Sequence, residues 1–120
     1  MSIIHHLEYY VADLNPTKSF WQTFLADLGF KVYQEFEKGI SYQHKEGTYI
    51  VFVEIDMKKK TKNNRHSTGL NHIAFTVEST EELERFHTKL ISQNIKVLKK
   101  DQYHLCFEDN NEFAVELFVK

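Results

Sequence analysis

Two histidines and two glutamates are the residues of this chain whose types and spacing could do chemistry: His6, Glu54, His72 and Glu116. His6 precedes Glu54 by 48 residues and His72 precedes Glu116 by 44, so each half supplies one imidazole and one carboxylate. Glu116 is the most demanding of the four. It interrupts the apolar run FAVELF at residues 113–118, and an unpaired carboxylate in a buried strand is destabilising. A divalent cation held by two imidazoles and two carboxylates would compensate the charge, since two anionic ligands neutralise the ion. A glutamate–histidine pair compensates it in part without metal, and polar residues on a solvated sheet face need no compensation. The spacing alone leaves all three open.

The elements that position these residues repeat. Residues 3–11 alternate as a strand, and Asn15-Pro16 reads as an N-cap and first helical residue. Residues 17–28 follow as a helix with Phe20, Phe24 and Leu28 on its buried face, and Gly29 as the stop. Strands are expected at 30–36, 40–44 and 49–55, separated by turns at Glu37-Lys38-Gly39 and Lys45-Glu46-Gly47. The second half repeats the order: a strand at 70–77, and a helix opening at Ser79 or Thr80 and running to about Gln93. Leu83, Phe86 and Leu90 form its buried face, Asn94 is its left-handed stop, and strands follow at 95–98, 103–108 and 113–119. HLEYYVAD (6–13) aligns with HIAFTVES (72–79), histidine on histidine and valine on valine. The expected fold is α+β, two βαβββ modules spanning 1–56 and 70–120 within one domain of 120 residues. The basic stretch 57–69, which begins MKKKTKNNRHS, is expected to link them as an exposed loop.

Side chains alternate faces along a strand, so parity assigns each residue to a surface. Leu7, Tyr9 and Val11 are expected beneath the first helix, with Tyr49, Val51, Val53 and Ile55 joining them from the fourth strand. Ile73, Phe75 and Val77, with Val115, Leu117 and Val119, are expected beneath the second. His6, Glu54, His72 and Glu116 then all fall on the opposite face, which becomes a shared lining if the two sheets curve toward each other.

Composition excludes several classes. Fifteen basic against seventeen acidic residues give a net charge of −2 and no electrostatic case for nucleic acid. No apolar run reaches the roughly 20 residues that span a bilayer, and MSIIHHLEYY lacks the features of a secretory signal. A single cysteine, Cys106, suits a reducing compartment, so a soluble cytoplasmic protein is expected. Cys106 itself, within YHLCF, is expected in the core. No glycine-rich phosphate loop, CxxC pair or GxSxG elbow is present.

Three stretches, HHLEYYVADLNPTKSFWQTFLADLGF, GLNHIAFTV and FEDNNEFAVELF, resemble the vicinal oxygen chelate superfamily: glyoxalase I, bleomycin-resistance proteins, fosfomycin-resistance enzymes and extradiol dioxygenases. The resemblance covers nearly the whole chain. It implies paired βαβββ modules whose curved mixed sheets form a cup with the helices outside, usually in a homodimer, around a divalent metal ion (Zn, Ni, Co, Mn or Fe). His6, seven residues before the Asp of VADL, stands where the first ligand stands, and His72 in NHIAF matches the second. Glu116 in VELF matches the carboxylate ligand of the last strand, and Glu54 in FVEI falls where glyoxalase I has its fourth. His5 points to the other face by parity. Where relatives usually carry a Pro-Asp-Gly type of turn, this chain has Asn110-Asn111-Glu112, in which asparagine is expected to take the left-handed geometry.

The activity so implied is that of a glyoxalase-like metal-dependent lyase or isomerase on a small substrate that chelates the ion through adjacent oxygens. Glu116 or Glu54 would move a proton between neighbouring carbons. A fosfomycin-type thiol transferase or epoxide hydrolase would use only His6, His72 and Glu116. A metal-free drug-binding protein, as in bleomycin resistance, would need none of them. Arg65 and His66 could hold an anionic group, and Tyr10 and Tyr42 could donate hydrogen bonds inside the cup.

Overall fold

The computed structural model describes residues 2–57 and 61–120. In chain order the elements are β1 (His6–Val11), α1 (Leu14–Asp27), β2 (Phe30–Phe36), β3 (Gly39–His44), β4 (Tyr49–Glu54), β5 (His72–Val77), α2 (Thr80–Ser92), β6 (Val97–Lys100), β7 (His104–Glu108) and β8 (Ala114–Val119). The expected α+β class and the twice-repeated βαβββ order are both present. The chain divides into two compact units, Met1–Lys62 and Asn63–Lys120, a boundary inside the expected linker. Residues 58–60 of that linker lie outside the described residues.

Each unit is a four-stranded mixed sheet, ordered β1-β4-β3-β2 in the first and β5-β8-β7-β6 in the second. The first and last strands of each unit pair in parallel, and the other pairs are antiparallel. A parallel pair cannot be closed by a hairpin, and α1 and α2 begin the crossover that each unit needs.

The second helix follows its sequence signals closely. Ser79 is the N-cap and its hydroxyl accepts from the backbone N–H of Glu82, while Leu83, Phe86 and Leu90 are buried. Asn94 takes the left-handed conformation at φ 59°, as expected. The first helix starts two residues early. Its N-cap is Asp13, Pro16 sits within the first turn, and the buried face is Thr17, Trp21, Phe24 and Leu25. The buried stripe is centred on Trp21 rather than on Phe20 and Leu28, and the Trp21 ring lies 5.1 Å from that of Phe52 beneath it. Gly29 makes the left-handed stop at φ 94°.

One face expectation is overturned. The β1–β4 register pairs Leu7 with Ile50, Tyr9 with Phe52 and Val11 with Glu54. Cross-strand partners share a face, so Ile50, Phe52 and Glu54 lie on the helix side, and Tyr49, Val51 and Val53 on the other. Burial agrees, for Ile50 and Phe52 are buried while Tyr49, Val51 and Val53 are only partly so. Both sets in YIVFVEI are apolar, so hydrophobicity could not decide between them; Phe52 under Trp21 does. In β8 the expected face holds, with Val115 and Leu117 buried. At the β2–β3 turn Gly39 is demanded by close approach, since a Cβ there would stand 2.5 Å from the Phe52 carbonyl oxygen and 2.5 Å from the Phe36 ring.

Candidate functional site

In the second unit the ladder assembles a polar centre. Parallel pairing sets His72 opposite Ala114 and Ala74 opposite Glu116, while β7 sets Cys106 opposite Glu116 and His104 opposite Phe118. His72, His104, Cys106 and Glu116 therefore share the face opposite the buried Leu105, Phe107, Val115 and Leu117. Here His72 Nε2 stands 3.1 Å from Glu116 Oε2 and His104 Nε2 stands 2.5 Å from Glu116 Oε1. The Glu116 carboxylate, 14% exposed, is thus bracketed by two imidazoles.

Hydrogen bonding orients the His72 ring. The Asn71 amide donates through Nδ2 to the carbonyl of Arg65, which turns its Oδ1 toward His72 Nδ1 at 2.9 Å. His72 accordingly donates from Nδ1; in the neutral ring its Nε2 then presents a lone pair to a carboxylate oxygen, whereas the imidazolium donates from Nε2 to that oxygen. Two acceptors facing each other at 3.1 Å require a proton or a cation between them. His104 Nε2 reaches the other carboxylate oxygen at 2.5 Å, and facing an acceptor it donates.

In the first unit His6 pairs in register with Tyr49, and their rings stack at 4.7 Å and 8°. The Nδ1 atoms of His5 and His6 are 2.7 Å apart, so His5, expected to face away, hydrogen-bonds its neighbour instead. Glu54 does not join His6. It lies on the opposite face of the sheet and five residues farther along the ladder, roughly 17 Å at about 3.3 Å per residue. Its Oε2 accepts from the backbone N–H of Leu14 at 2.9 Å, and its Oε1 lies 3.8 Å from Lys38 Nζ. The Asp13 side chain makes no capping bond, so Glu54 supplies the carboxylate that the N-terminus of α1 favours. With His6 matched to His72, the position matching Glu116 is Val51, because Glu8 pairs with Val51 as Ala74 pairs with Glu116.

Other expected residues are also relocated. Tyr42 is buried on the helix side and donates to Gln22 Oε1 at 3.2 Å; burial, and secondarily Glu35, push its phenol up to about 12. Tyr10 is exposed on the His6 face. Arg65 pairs with Glu108 at 3.2 Å, which satisfies its charge within the unit. Cys106 is half-buried beside Glu116 rather than in the core, and burial, then that carboxylate, push its thiol up. In the last turn Glu112, not an asparagine, takes the left-handed position at φ 62°, because Asp109 Oδ1 accepts from the N–H groups of Asn111 and Phe113 and sets the bend around them. Sequence reasoning missed His104 and Asn71. His104 has the parity of Cys106 in YHLCF, but only the β7–β8 register shows that it reaches Glu116.

The model of the Glyoxalase/Bleomycin resistance protein/Dioxygenase superfamily matches residues 3–117. The chain belongs to that superfamily. It is 35% identical to the uncharacterized protein YqjT of Bacillus subtilis (strain 168), with 95% of this chain and 96% of that one covered. A candidate glyoxalase from Bacillus halodurans superposes with a TM-score of 0.93 at 32% identity, over 100% of this chain and 97% of the other. The genomically encoded fosfomycin resistance protein FosX of Listeria monocytogenes gives 0.74 at 21% identity, over 100% and 92%, a likeness of fold.

Divalent metals are common in this superfamily. His72 and Glu116 are donors of the type that ligate one. Zinc–nitrogen and zinc–oxygen bonds of about 2.0–2.2 Å let two ligands of one ion stand as far as ~4 Å apart, and these stand at 3.1 Å. The remaining ring nitrogen of His72 is held by Asn71, the outer-shell arrangement that a ligating histidine ordinarily has. These two supply two donors, and among the described residues no cluster of three or more His, Cys, Asp or Glu side chains able to hold a metal ion is present.

Proposed function

We propose that this protein is a metal-dependent lyase or isomerase of glyoxalase type, acting on a small molecule with two adjacent oxygens. His72 and Glu116 are its metal ligands, and His6 is the further ligand that the family resemblance implies. A bound divalent ion would supply Lewis acidity to the substrate oxygens. Glu116 is the residue assigned to hold and transfer the proton between neighbouring substrate carbons, and its low exposure favours that role by limiting competition from bulk water. Glu54 is proposed as the cap of α1 rather than as ligand or base, on its bond to Leu14 and its place in the β1–β4 register. A cytoplasmic homodimer is the assembly proposed.

The observation that carries this reading is His72 Nε2 standing 3.1 Å from Glu116 Oε2, with the other ring nitrogen 2.9 Å from Asn71 Oδ1. A second reading, an epoxide-opening thiol transferase or hydrolase, draws support from the placement of Glu54, because that chemistry uses His6, His72 and Glu116 alone. Metal content of purified protein, wild type against Glu116→Ala, tests the shared part. Stoichiometric metal that the variant loses is expected, and a wild type that takes up none from metal-replete buffer refutes both readings. Isomerisation of a methylglyoxal–thiol hemithioacetal and modification of fosfomycin, assayed side by side, separate the two.

A further inference from the structure

We infer that His104 is a positioning residue that aims Glu116 at the ion; this rests on the metal reading above. A free glutamate carboxylate can rotate about its terminal torsion, which is broad, and a ligand that must be ordered on binding loses affinity. His104 removes that freedom. Its Nε2–H is bonded to Glu116 Oε1 at 2.5 Å, which leaves Oε2 directed at His72 Nε2.

His104 is itself fixed from three sides. Its ring stacks on Phe118 at 4.3 Å and 26°, and its side chain is 14% exposed. The turn before β7 is closed by Asp101, whose N–H donates to the His104 carbonyl at 2.9 Å and whose Oδ1 accepts from Tyr103 N–H at 2.8 Å. The β7–β8 register then places His104 one pair away from Glu116 along the face. An imidazole held this firmly, with its proton on the oxygen that does not face His72, pre-orders the ligand before any ion arrives. It acts through Glu116 and need not touch substrate.

Cobalt(II) is the probe, because its visible absorption reports coordination as well as occupancy. Outer-shell partners typically govern about 10- to 100-fold in metal affinity, and a loss of that size is expected for His104→Phe, which keeps the stacking and removes the donor. His104→Gln, whose amide nitrogen can occupy the place of Nε2, should recover most of the affinity with an unchanged spectrum. In metal-free wild type, long-range 1H–15N correlation should show His104 protonated at Nε2, a measurement that stands even if the phenylalanine variant fails to fold. Wild type that binds no cobalt overturns the metal reading and this inference with it. Wild type that binds, with His104→Phe binding equally well, overturns the positioning role alone. So does an altered spectrum in His104→Gln, which would make His104 a ligand, or a wild-type His104 lacking the Nε2 proton.

Discussion

Replacing Glu54 with alanine separates a helix cap from a metal ligand. The Leu14 N–H is one of the four that the start of α1 leaves without an intrahelical partner, and the carboxylate 2.9 Å away is its acceptor. Loss of a capping side chain weakens a protein by about 0.5–2 kcal/mol, and loss of a negative charge at a helix N-terminus by a further ~0.3–1 kcal/mol. The Glu54 side chain is 25% exposed and Lys38 lies 3.8 Å off, so water and the lysine soften the electrostatic part. About 1–2 kcal/mol is the resulting expectation. With an unfolding entropy near 2.1 cal/mol/K per residue, that lowers Tm by roughly 4–8 °C in a chain of this size. Thermal unfolding followed by circular dichroism measures it, with Glu54→Gln as the intermediate case because its amide oxygen still accepts. Metal uptake by Glu54→Ala should match wild type. An unchanged Tm together with abolished metal binding would refute the assignment and return Glu54 to the ligand set.

Gly39→Ala should be destabilising by about 1–3 kcal/mol, the usual range for overpacking, since the added carbon meets the Phe52 carbonyl at 2.5 Å; an unshifted denaturant midpoint would contradict this. Tyr42 contributes to the alkaline limb of stability. Its phenol, ordinarily near 10, is pushed up to about 12, so the unfolded chain releases that proton first and stability falls as pH rises from about 10 to about 12. Tyr42→Phe should remove that part of the slope in urea-unfolding free energies, and an identical slope would show that the phenol is not protected.

The fold was legible because its signals are local and mutually consistent. Ser79 as cap, Leu83, Phe86 and Leu90 as stripe and Asn94 as stop each follow from their own neighbourhood. The face of Glu116 was legible in the second unit, where FAVELF alternates a carboxylate against Val115 and Leu117. In the first unit YIVFVEI is apolar on both faces, and a shift of one residue carries every side chain to the other side. What decides that register is Trp21 over Phe52, a contact between residues 31 apart that no local pattern contains. Glu54 was misplaced for that reason. His104 and Asn71 went unseen because their meaning lies in hydrogen bonds, His104 to Glu116 and Asn71 to His72 and the Arg65 carbonyl, which periodicity does not encode.

Val51 holds in the first unit the place that Glu116 holds in the second. A valine codon and a glutamate codon can differ by a single base, and a partly exposed position on an established strand tolerates either side chain without new backbone geometry. The scaffold can therefore gain or discard an acidic side chain at this place in one mutational step while its helices, turns and buried aromatics stay as they are. Repertoires of reactions can diversify on such a frame far faster than the frame itself changes.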